Sequence, residues 1–324
     1  MTGTIVGVLR GGPSHEHEVS LKTGHAILSN LSPERFQARD IYIDKQGNWH
    51  DRGKAVTPEK ALRQIDVAIV GLHGEYGENG EVQRLLEQLG VPYTGANAFA
   101  SYLAMHKLMA KTHAKEAGLL TPDFRYIERA DDIDAVVREA IHSFMSPVIV
   151  KPVNWGSSVG VSRQTGFAPI RNAVAALFED GAQGVLIEEY VRGREATAGV
   201  VEGLRGEELY ALPVVEIIPP EGDFFSTEVK YNGTTQEVVP GRFSRVITEE
   251  LQRAAKLMHR TLDQRHYSRT DFIVSPRGIF VLETNSAAGV GLTPESLLPK
   301  SLAAIGVAFP DFLSHLVDRT LRRA

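Results

Sequence analysis

The chain of 324 residues contains no cysteine. Disulfides, thiolate-bound metals and a cysteine nucleophile are therefore excluded, and a reducing, cytoplasmic compartment is the expectation. It also lacks any apolar run of about 18 residues, the length a membrane-spanning helix needs, so no membrane partner is expected. The N-terminus passes directly into Thr4-Ile-Val-Gly-Val-Leu9, without the basic region and long apolar core of a secretory signal. Acidic residues are in slight excess: 35 Lys and Arg against 40 Asp and Glu leave a net charge of −5. That balance gives no reason to expect a nucleic-acid partner. No Gly-x-Gly-x-x-Gly follows the first strand, and no Gly-Lys-Ser ends a glycine-rich loop. A dinucleotide fingerprint and a Walker loop are thus unsupported.

What is present is alternation. Strands are predicted at 4–9, 39–44 and 66–73, with helices from a Ser20 cap to Leu31, from Thr57-Pro58, and over 80–89. This order predicts a doubly wound parallel sheet over residues 1–95. A single long helix is expected over 98–117, ended by Gly118. Then come strands at 124–127, 147–151, 161–163 and 185–190, and helices at 133–144 and 168–178. The remainder reads as strand-rich, with helices at 249–262 and from Ala303 to the end. Residues 219–240 lack periodicity and are too long for a plain connection, so they read as a functional loop.

The chemistry concentrates near the C-terminus. Phe272-Ile-Val274 and Ile279-Phe-Val-Leu282 read as a hairpin around the three-residue loop Pro276-Arg277-Gly278. That loop pairs Ser275 with Ile279 and, counting back, Asp271 with Glu283. Alternation then places Arg269 and Asp271 on one face with Glu283 and Asn285. Facing carboxylates repel; a hard cation with oxygen ligands and nucleotide phosphates resolves the repulsion. The pattern suggests phosphoryl transfer.

Other motifs admit two readings each. Gly11-Gly-Pro-Ser-His-Glu-His-Glu18 lies at a sheet's carboxyl edge, as a ligand loop carrying Glu16 or as a solvated turn. His73-Gly-Glu-Tyr-Gly-Glu-Asn-Gly80 has three glycines, for a close ligand approach at His73 or for a tight turn before a helix. Lys151 precedes Gly156-Ser-Ser-Val-Gly160, a phosphate-covering loop or a flexible turn. Glu188 and Glu189 point to opposite faces, so at most one meets a pocket. Lys230-Tyr231 is solvated unless its loop folds over a nucleotide. Ser296 precedes an apolar run and caps or starts a helix.

Taken together and in order, these motifs resemble the D-alanine–D-alanine ligase family of the ATP-grasp superfamily along nearly the whole chain. The carriers include Pro92-Tyr-Thr-Gly95, Met105-His-Lys107, Val150-Lys-Pro152, Leu186-Ile-Glu-Glu-Tyr190, Gly193-Arg-Glu195, Arg269-Thr-Asp271, Glu283-Thr-Asn285 and Ser296-Leu-Leu-Pro299. The resemblance implies an α/β protein, α+β in its central and C-terminal parts: an ATP-grasp fold behind an N-terminal Rossmann-like domain. The implied domains span 1–95, 96–188 and 189–324. ATP would bind between the last two. Lys107, Lys151 and Lys230 would contact phosphates. Glu188 and the backbone of Glu189, Tyr190 and Val191 would read adenine, with Phe272 and Leu282 flanking the nucleotide and Glu195 on the ribose. Asp271, Glu283 and Asn285 would hold two Mg²⁺ ions, with Mn²⁺ as a substitute.

The implied reaction phosphorylates the carboxylate of one D-alanine, and the amine of a second then displaces phosphate. Glu16 would hold the first ammonium in a network with Ser157 and Tyr231, and His73 would line that site. Arg269 and the N–H of Gly289 or Gly291 would stabilise the oxyanion. Ser296 and the Leu297 N–H would take the second carboxylate. A homodimer serving peptidoglycan synthesis is implied. The chain departs from the family at His106, where relatives usually have Asp. It departs again at Ser286–Leu292, which is about two residues longer and lacks the usual Pro-Gly, leaving the oxyanion glycine and the second substrate open.

Overall fold

The structure, a computed structural model, describes residues 3–220 and 235–323 and contains three sheets. The first is built on β1 (Thr4–Gly11), which pairs in parallel with β2 (Phe36–Ile43) and with β5 (Val67–Val70). Between β2 and β5 lie β3 (Trp49–Asp51) and β4 (Lys54–Val56), an antiparallel hairpin that extends the sheet outward. The parallel expectation therefore holds for β2, β1 and β5; the hairpin was not foreseen, because its strands are three residues each. Helix α1 (His17–Asn30) starts at Glu16, not at Ser20. Ser20 lies one turn inside, where its hydroxyl accepts from Gly11 N at 2.9 Å and donates to Gly71 O at 2.8 Å. It ties two loops together rather than capping a helix. Helix α2 (Pro58–Leu62) does begin at its Thr57 cap, and α3 (Glu81–Gln88) follows Gly80. Gly80 is left-handed, and a Cβ there would lie 2.3 Å from Ala98 O, so only glycine fits.

The expected long helix is two. Helix α4 (Ala98–Met105) stops at His106, which has extended backbone, and α5 (Lys107–Glu116) starts afresh. The second sheet has the order β6-β9-β7-β8, from β6 (Phe124–Glu128), β7 (Val148–Pro152), β8 (Ser162–Gln164) and β9 (Gly184–Glu189). Helices α6 (Ile133–Ser143) and α7 (Phe167–Glu179) bury Val137, Ala140, Ile170 and Val174 against it.

The third sheet runs β13-β12-β10-β14-β15, with β11 (Leu209–Ala211) also paired to β10 (Arg194–Glu202). Its other strands are β12 (Val215–Ile218), β13 (Gln236–Val238), β14 (Tyr267–Ser275) and β15 (Gly278–Asn285). Helix α8 (Arg245–Thr261) covers it with α4 and α5, through Leu251, Ala255, Met258, Leu103, Ala110 and Ala114. Helices α9 (Leu297–Ala303) and α10 (Phe309–Arg323) close the chain. Phe312, Leu316 and Val317 of α10 pack in the same core as Val6, Val8, Val67 and Ile69 of the first sheet, so the chain's end is buried against its beginning. No helix among the described residues is long and apolar enough to cross a membrane.

Candidate active site

The β14–β15 hairpin shows how an approximate reading can succeed where it matters. The loop has two residues, since Ser275 pairs with Gly278, and Val274, Ile273 and Phe272 pair with Ile279, Phe280 and Val281. The three-residue loop is therefore wrong by one. A bulge at Leu282 then absorbs one residue, and Asp271 faces Glu283, Thr270 faces Thr284 and Arg269 faces Asn285. The two errors cancel, and the polar end is in the expected register.

Within this end, Arg269 is 7% exposed and clamps Asp271 with two bonds, Nε to Oδ1 at 3.0 Å and Nη2 to Oδ2 at 2.9 Å. Thr197 on β10 donates to the same Oδ1 at 2.5 Å, and Asn285 Nδ2 donates to Oδ2 at 3.1 Å. Burial alone would weaken the guanidinium's hold on its proton, but the Asp271 pair outweighs it and raises Arg269 above its ordinary value. Glu283, by contrast, is about one-third exposed and has Lys107 Nζ 3.9 Å away.

Lys107 owes its position to the helix break. As the first residue of α5 its N–H bonds to Val153 O at 2.8 Å, and its Nζ reaches Trp155 O. Burial holds the ammonium below its ordinary pKa against the pull of Glu283. Lys107 lines one cavity with Lys151, Ser158, Glu188, Glu195, Asp271 and Glu283. Tyr190, Val191, Phe272 and Leu282 form apolar walls of the same cavity, with Glu189 at its edge. The cavity opens between the second and third sheets, so every residue read as nucleotide-binding within the described residues meets there. Glu188 and Glu189 both line it, but they differ. Glu188 is 2% exposed between two lysines, whereas Glu189 is held by Arg277 at 2.6 and 3.1 Å.

Three loops meet on the other side of Arg269. Ser157 donates to Glu16 Oε1, and Cβ atoms at Gly74 and Gly156 would each approach Glu16 Oε2 to 3.0 Å. Ser157 and Ser158 hold φ of 49° and 58°, left-handed values that cost non-glycine residues energy. His73, buried, contacts Thr23 Oγ1 through Nε2 at 2.8 Å. Glu16, His73, Ser157, Arg269, Gly289, Gly291, Ser296 and Leu297 line this second cavity. Ser296 stands at the start of α9 but makes no capping bond; its hydroxyl instead meets Thr293 N at 3.2 Å and Thr293 Oγ1 at 2.9 Å. The two glycines differ as well. Gly289 N–H is spent on Ser286 O at 2.9 Å in the short turn Ala287–Gly289. Lys230 and Tyr231 lie outside the described residues.

The oxygen donors Asp271, Glu283 and Asn285 suit a hard divalent cation in kind. Among the described residues, however, no three His, Cys, Asp or Glu side chains cluster as a metal site. Two carboxylates and one amide would need ligand phosphate oxygens to complete a shell. Because Asn285 turns its NH₂ to Asp271, its carbonyl oxygen is the atom left for a cation.

Sequence reasoning missed several participants. Glu78 accepts from Gly74 N at 2.6 Å, and a Cβ at Gly289 would lie 2.4 Å from its Oε2. Its signal was an acid inside a glycine loop. Thr197 gave none, being one small residue in a strand. Lys111 sits four residues after Lys107, on the buried face of α5.

A family model described as D-ala D-ala ligase C-terminus matches residues 114–318, and one described as D-ala D-ala ligase N-terminus matches 5–60 and 50–96. The D-alanine–D-alanine ligase of Syntrophobacter fumaroxidans is 39% identical over 324 residues, covering 98% of this chain and 97% of its own. That of Desulforudis audaxviator is 38% identical over 317 residues, covering 96% and 97%. Among solved structures, the D-alanine–D-alanine ligase of Bacillus anthracis complexed with ATP has a TM-score of 0.82 at 28% identity, covering 99% of this chain and 98% of that one. A D-Ala:D-Ser ligase from Enterococcus faecalis has a TM-score of 0.86 at 25% identity, covering 98% and 100%. With family models matched over most of its length and relatives this similar end to end, the chain belongs to the D-alanine–D-alanine ligase family.

Proposed function

We propose that the protein joins two D-alanines at the expense of ATP, giving D-alanyl-D-alanine, ADP and phosphate for cell-wall precursors. The observation that carries this reading is the shared wall. One hairpin end presents Asp271 and Glu283 to the cavity between the second and third sheets and Arg269 to the other, so a phosphoryl group and a carboxylate can meet across it.

A carboxylate is a poor electrophile until phosphorylation turns one oxygen into a leaving group. Lys107 and Lys151 neutralise the phosphates, and Glu188, Glu195 and the backbone of Glu189, Tyr190 and Val191 hold the nucleoside. Glu16, fixed by Ser157, takes the first substrate's ammonium beside His73. Asp271, Glu283 and Asn285 would hold Mg²⁺, which when bound offsets charge on the transferring phosphoryl oxygens. The second amine then adds to the carbonyl carbon of the acyl phosphate, forming the C–N bond and a tetrahedral oxyanion. The oxyanion collapses as the C–O bond breaks, and phosphate leaves with the electron pair. The proton lost from nitrogen passes to the departing phosphate or to water. Arg269 stabilises the oxyanion, and the glycine N–H donor is Gly291. Gly289 is already committed to Ser286, whereas Gly291 lines the cavity with its backbone against Ser296. Ser296 and Leu297 N–H take the second carboxylate. The cytoplasm and a homodimer complete the reading.

Phosphate release with D-alanine, D-serine, D-lactate and other amino acids as acceptors tests it. D-alanine should give the highest kcat/KM. A strong preference for D-serine, which the likeness to a D-Ala:D-Ser ligase makes the rival acceptor, would overturn the substrate assignment while leaving the chemistry.

A further inference from the structure

Behind the nucleotide cavity, in contact with Glu188 of its wall, lies a buried lysine that the reaction scheme leaves without a task. Lys111 is 2% exposed on α5, one turn beyond Lys107. Its Nζ donates to Thr121 Oγ1 at 2.6 Å and pairs with Glu188 Oε1 at 3.0 Å. Lys151 pairs with the same oxygen at 2.9 Å. The closest approach of both ammonium groups is thus to one atom of one carboxylate, in a setting from which water is nearly excluded. A buried carboxylate with a single cation is free to swing about it; two cations from different elements, α5 and β7, fix it. Burial pushes Glu188 up, but the two lysines overrule it and hold it below its ordinary range. Burial brings Lys111 down to about 8 against the pull of Glu188, so both are charged at neutral pH. Lys111 itself does not line the cavity, whereas Glu188 and Lys151 do.

We infer that Lys111 is a positioning residue for nucleotide choice: by pinning Glu188 Oε1 together with Lys151, it presents the other oxygen, Oε2, to the exocyclic amine of adenine. The inference rests on the reading of this cavity as the ATP site. A fixed carboxylate accepts from the amine of adenine and repels the carbonyl oxygen that guanine has in its place. The same pinning keeps Lys151 beside the phosphates. Without Lys111, Glu188 would keep the one cation Lys151, about which the carboxylate can swing, and it would lose its orientation.

Equilibrium binding of ATP and of GTP to the full-length protein, without acceptor, tests this apart from turnover. Lys111→Met should weaken ATP about tenfold and GTP by less than about threefold, cutting the preference between them, the signature of a lost specific contact rather than of lost charge. Thr121→Val, which removes the hydroxyl that accepts from Lys111, should move the same ratio in the same direction by less. Lys111→Arg, keeping the charge, should retain most of the preference. If either Met or Val variant is folded and its ATP-to-GTP ratio equals that of the wild type, the inference is overturned; equal weakening of both nucleotides overturns it too. Should Lys111→Met not fold, the Thr121→Val ratio decides. Failure of the wild type to bind ATP would instead sink the nucleotide-site reading.

Discussion

The two cavities on either side of Arg269 are built differently. The nucleotide cavity is walled by strands, β7 and β9 on one side and β10, β12, β14 and β15 on the other, and its charges are matched inside the protein. Glu188 sits between Lys111 and Lys151, and Asp271 under Arg269, before any ligand arrives. The substrate cavity has one face of α1 on one side, with Val19, Lys22, Thr23, His25 and Ala26, and on the other loop tips and small residues, among them Gly289, Gly291, Thr293 and Ser296. Preformed electrostatics on rigid elements suit a ligand common to a whole superfamily. The small residues of the loop over 289–296, where one methyl group changes the shape, suit the place where selectivity between small acceptors is set. Damage to the first should therefore affect every acceptor alike, and damage to the second should discriminate.

The largest effect is expected from Glu283→Gln. It removes one of two facing carboxylates while keeping shape, so the fold should survive. Turnover should fall about 10³-fold, the scale of losing one strong electrostatic stabiliser. The loss should be equal for D-alanine and any poorer acceptor. Near-normal phosphate release would refute the metal assignment; an acceptor-dependent loss would break the contrast between the walls.

Gly291→Ala should act on the other side. The added Cβ would lie 2.6 Å from Ser296 Oγ, so the hydroxyl must move. A displacement of about 1 Å at a reacting centre can cost about 10²-fold. The loss should fall on kcat/KM for the second substrate, with ATP affinity within about twofold, since the nucleotide wall is untouched. Gly289→Ala would press on Glu78 instead, so the two variants separate the oxyanion glycine from its structural neighbour. If Gly289→Ala alone abolished the second step while Gly291→Ala did not, the assignment of Gly291 would be wrong.

How much of this was legible in the sequence depends on whether a residue's partner lay nearby. The pairing of Asp271 with Glu283 follows from counting back along the hairpin, and it came out right because a loop misjudged by one was offset by the bulge at Leu282. The shared face of Arg269 and Asp271 follows from alternation, a local rule. The break at His106 was hidden, because Met105 and Lys107 continue a helical pattern, while the bond from Lys107 N to Val153 O, 46 residues away, favours a new start. Lys111 was invisible for the same reason. A lysine four residues after another reads as a solvated face until β7 and β9 supply a carboxylate for it to meet. Ser20 looked like a cap because serine often is one, yet the loops around Gly11 and Gly71 claimed its hydroxyl.

The frame that holds both walls has its own weak point at His266, at the root of β14. It is 3% exposed, left-handed at φ 64°, and its Nδ1 accepts from Gly95 N at 2.9 Å. Burial brings it down to about 4, against the field of Glu202, with Arg323, Arg319 and Arg265 adding to the burial effect. The unfolded chain therefore takes up the proton first. The contribution is fully present above the ordinary histidine pKa of about 6.5 and is lost as pH falls towards 4, on the order of 3 kcal/mol at most. Glu202, held near 2, loses its contribution only below about 4.5, so the two windows separate. In denaturant titrations, His266→Asn should flatten the stability loss between pH 6.5 and 4.5; an unchanged slope would show that this histidine does not carry it.

The smallest effect is expected at His106, the residue before Lys107 of the nucleotide wall. Its Nδ1 accepts from Met109 N at 3.4 Å, a long cap for α5, and burial, with the field of Lys107 adding to it, holds its pKa below the ordinary value. An aspartate would cap with a full charge at the positive end of the helix, a gain of about 0.5–1 kcal/mol at neutral pH. Protonation removes the lone pair with which the histidine caps, so its contribution fades as pH falls below about 6.5. The melting temperature of His106→Asp should therefore exceed that of the wild type by a few degrees at most, and by more at pH 5.5 than at pH 7.5. ATP affinity should change little, because Lys107 is placed by its own N–H bond to Val153 O. A gain that did not vary with pH would mean that the ring nitrogen does not cap α5. A large loss of ATP affinity would mean that the nucleotide wall is less rigid than the contrast with the substrate wall requires.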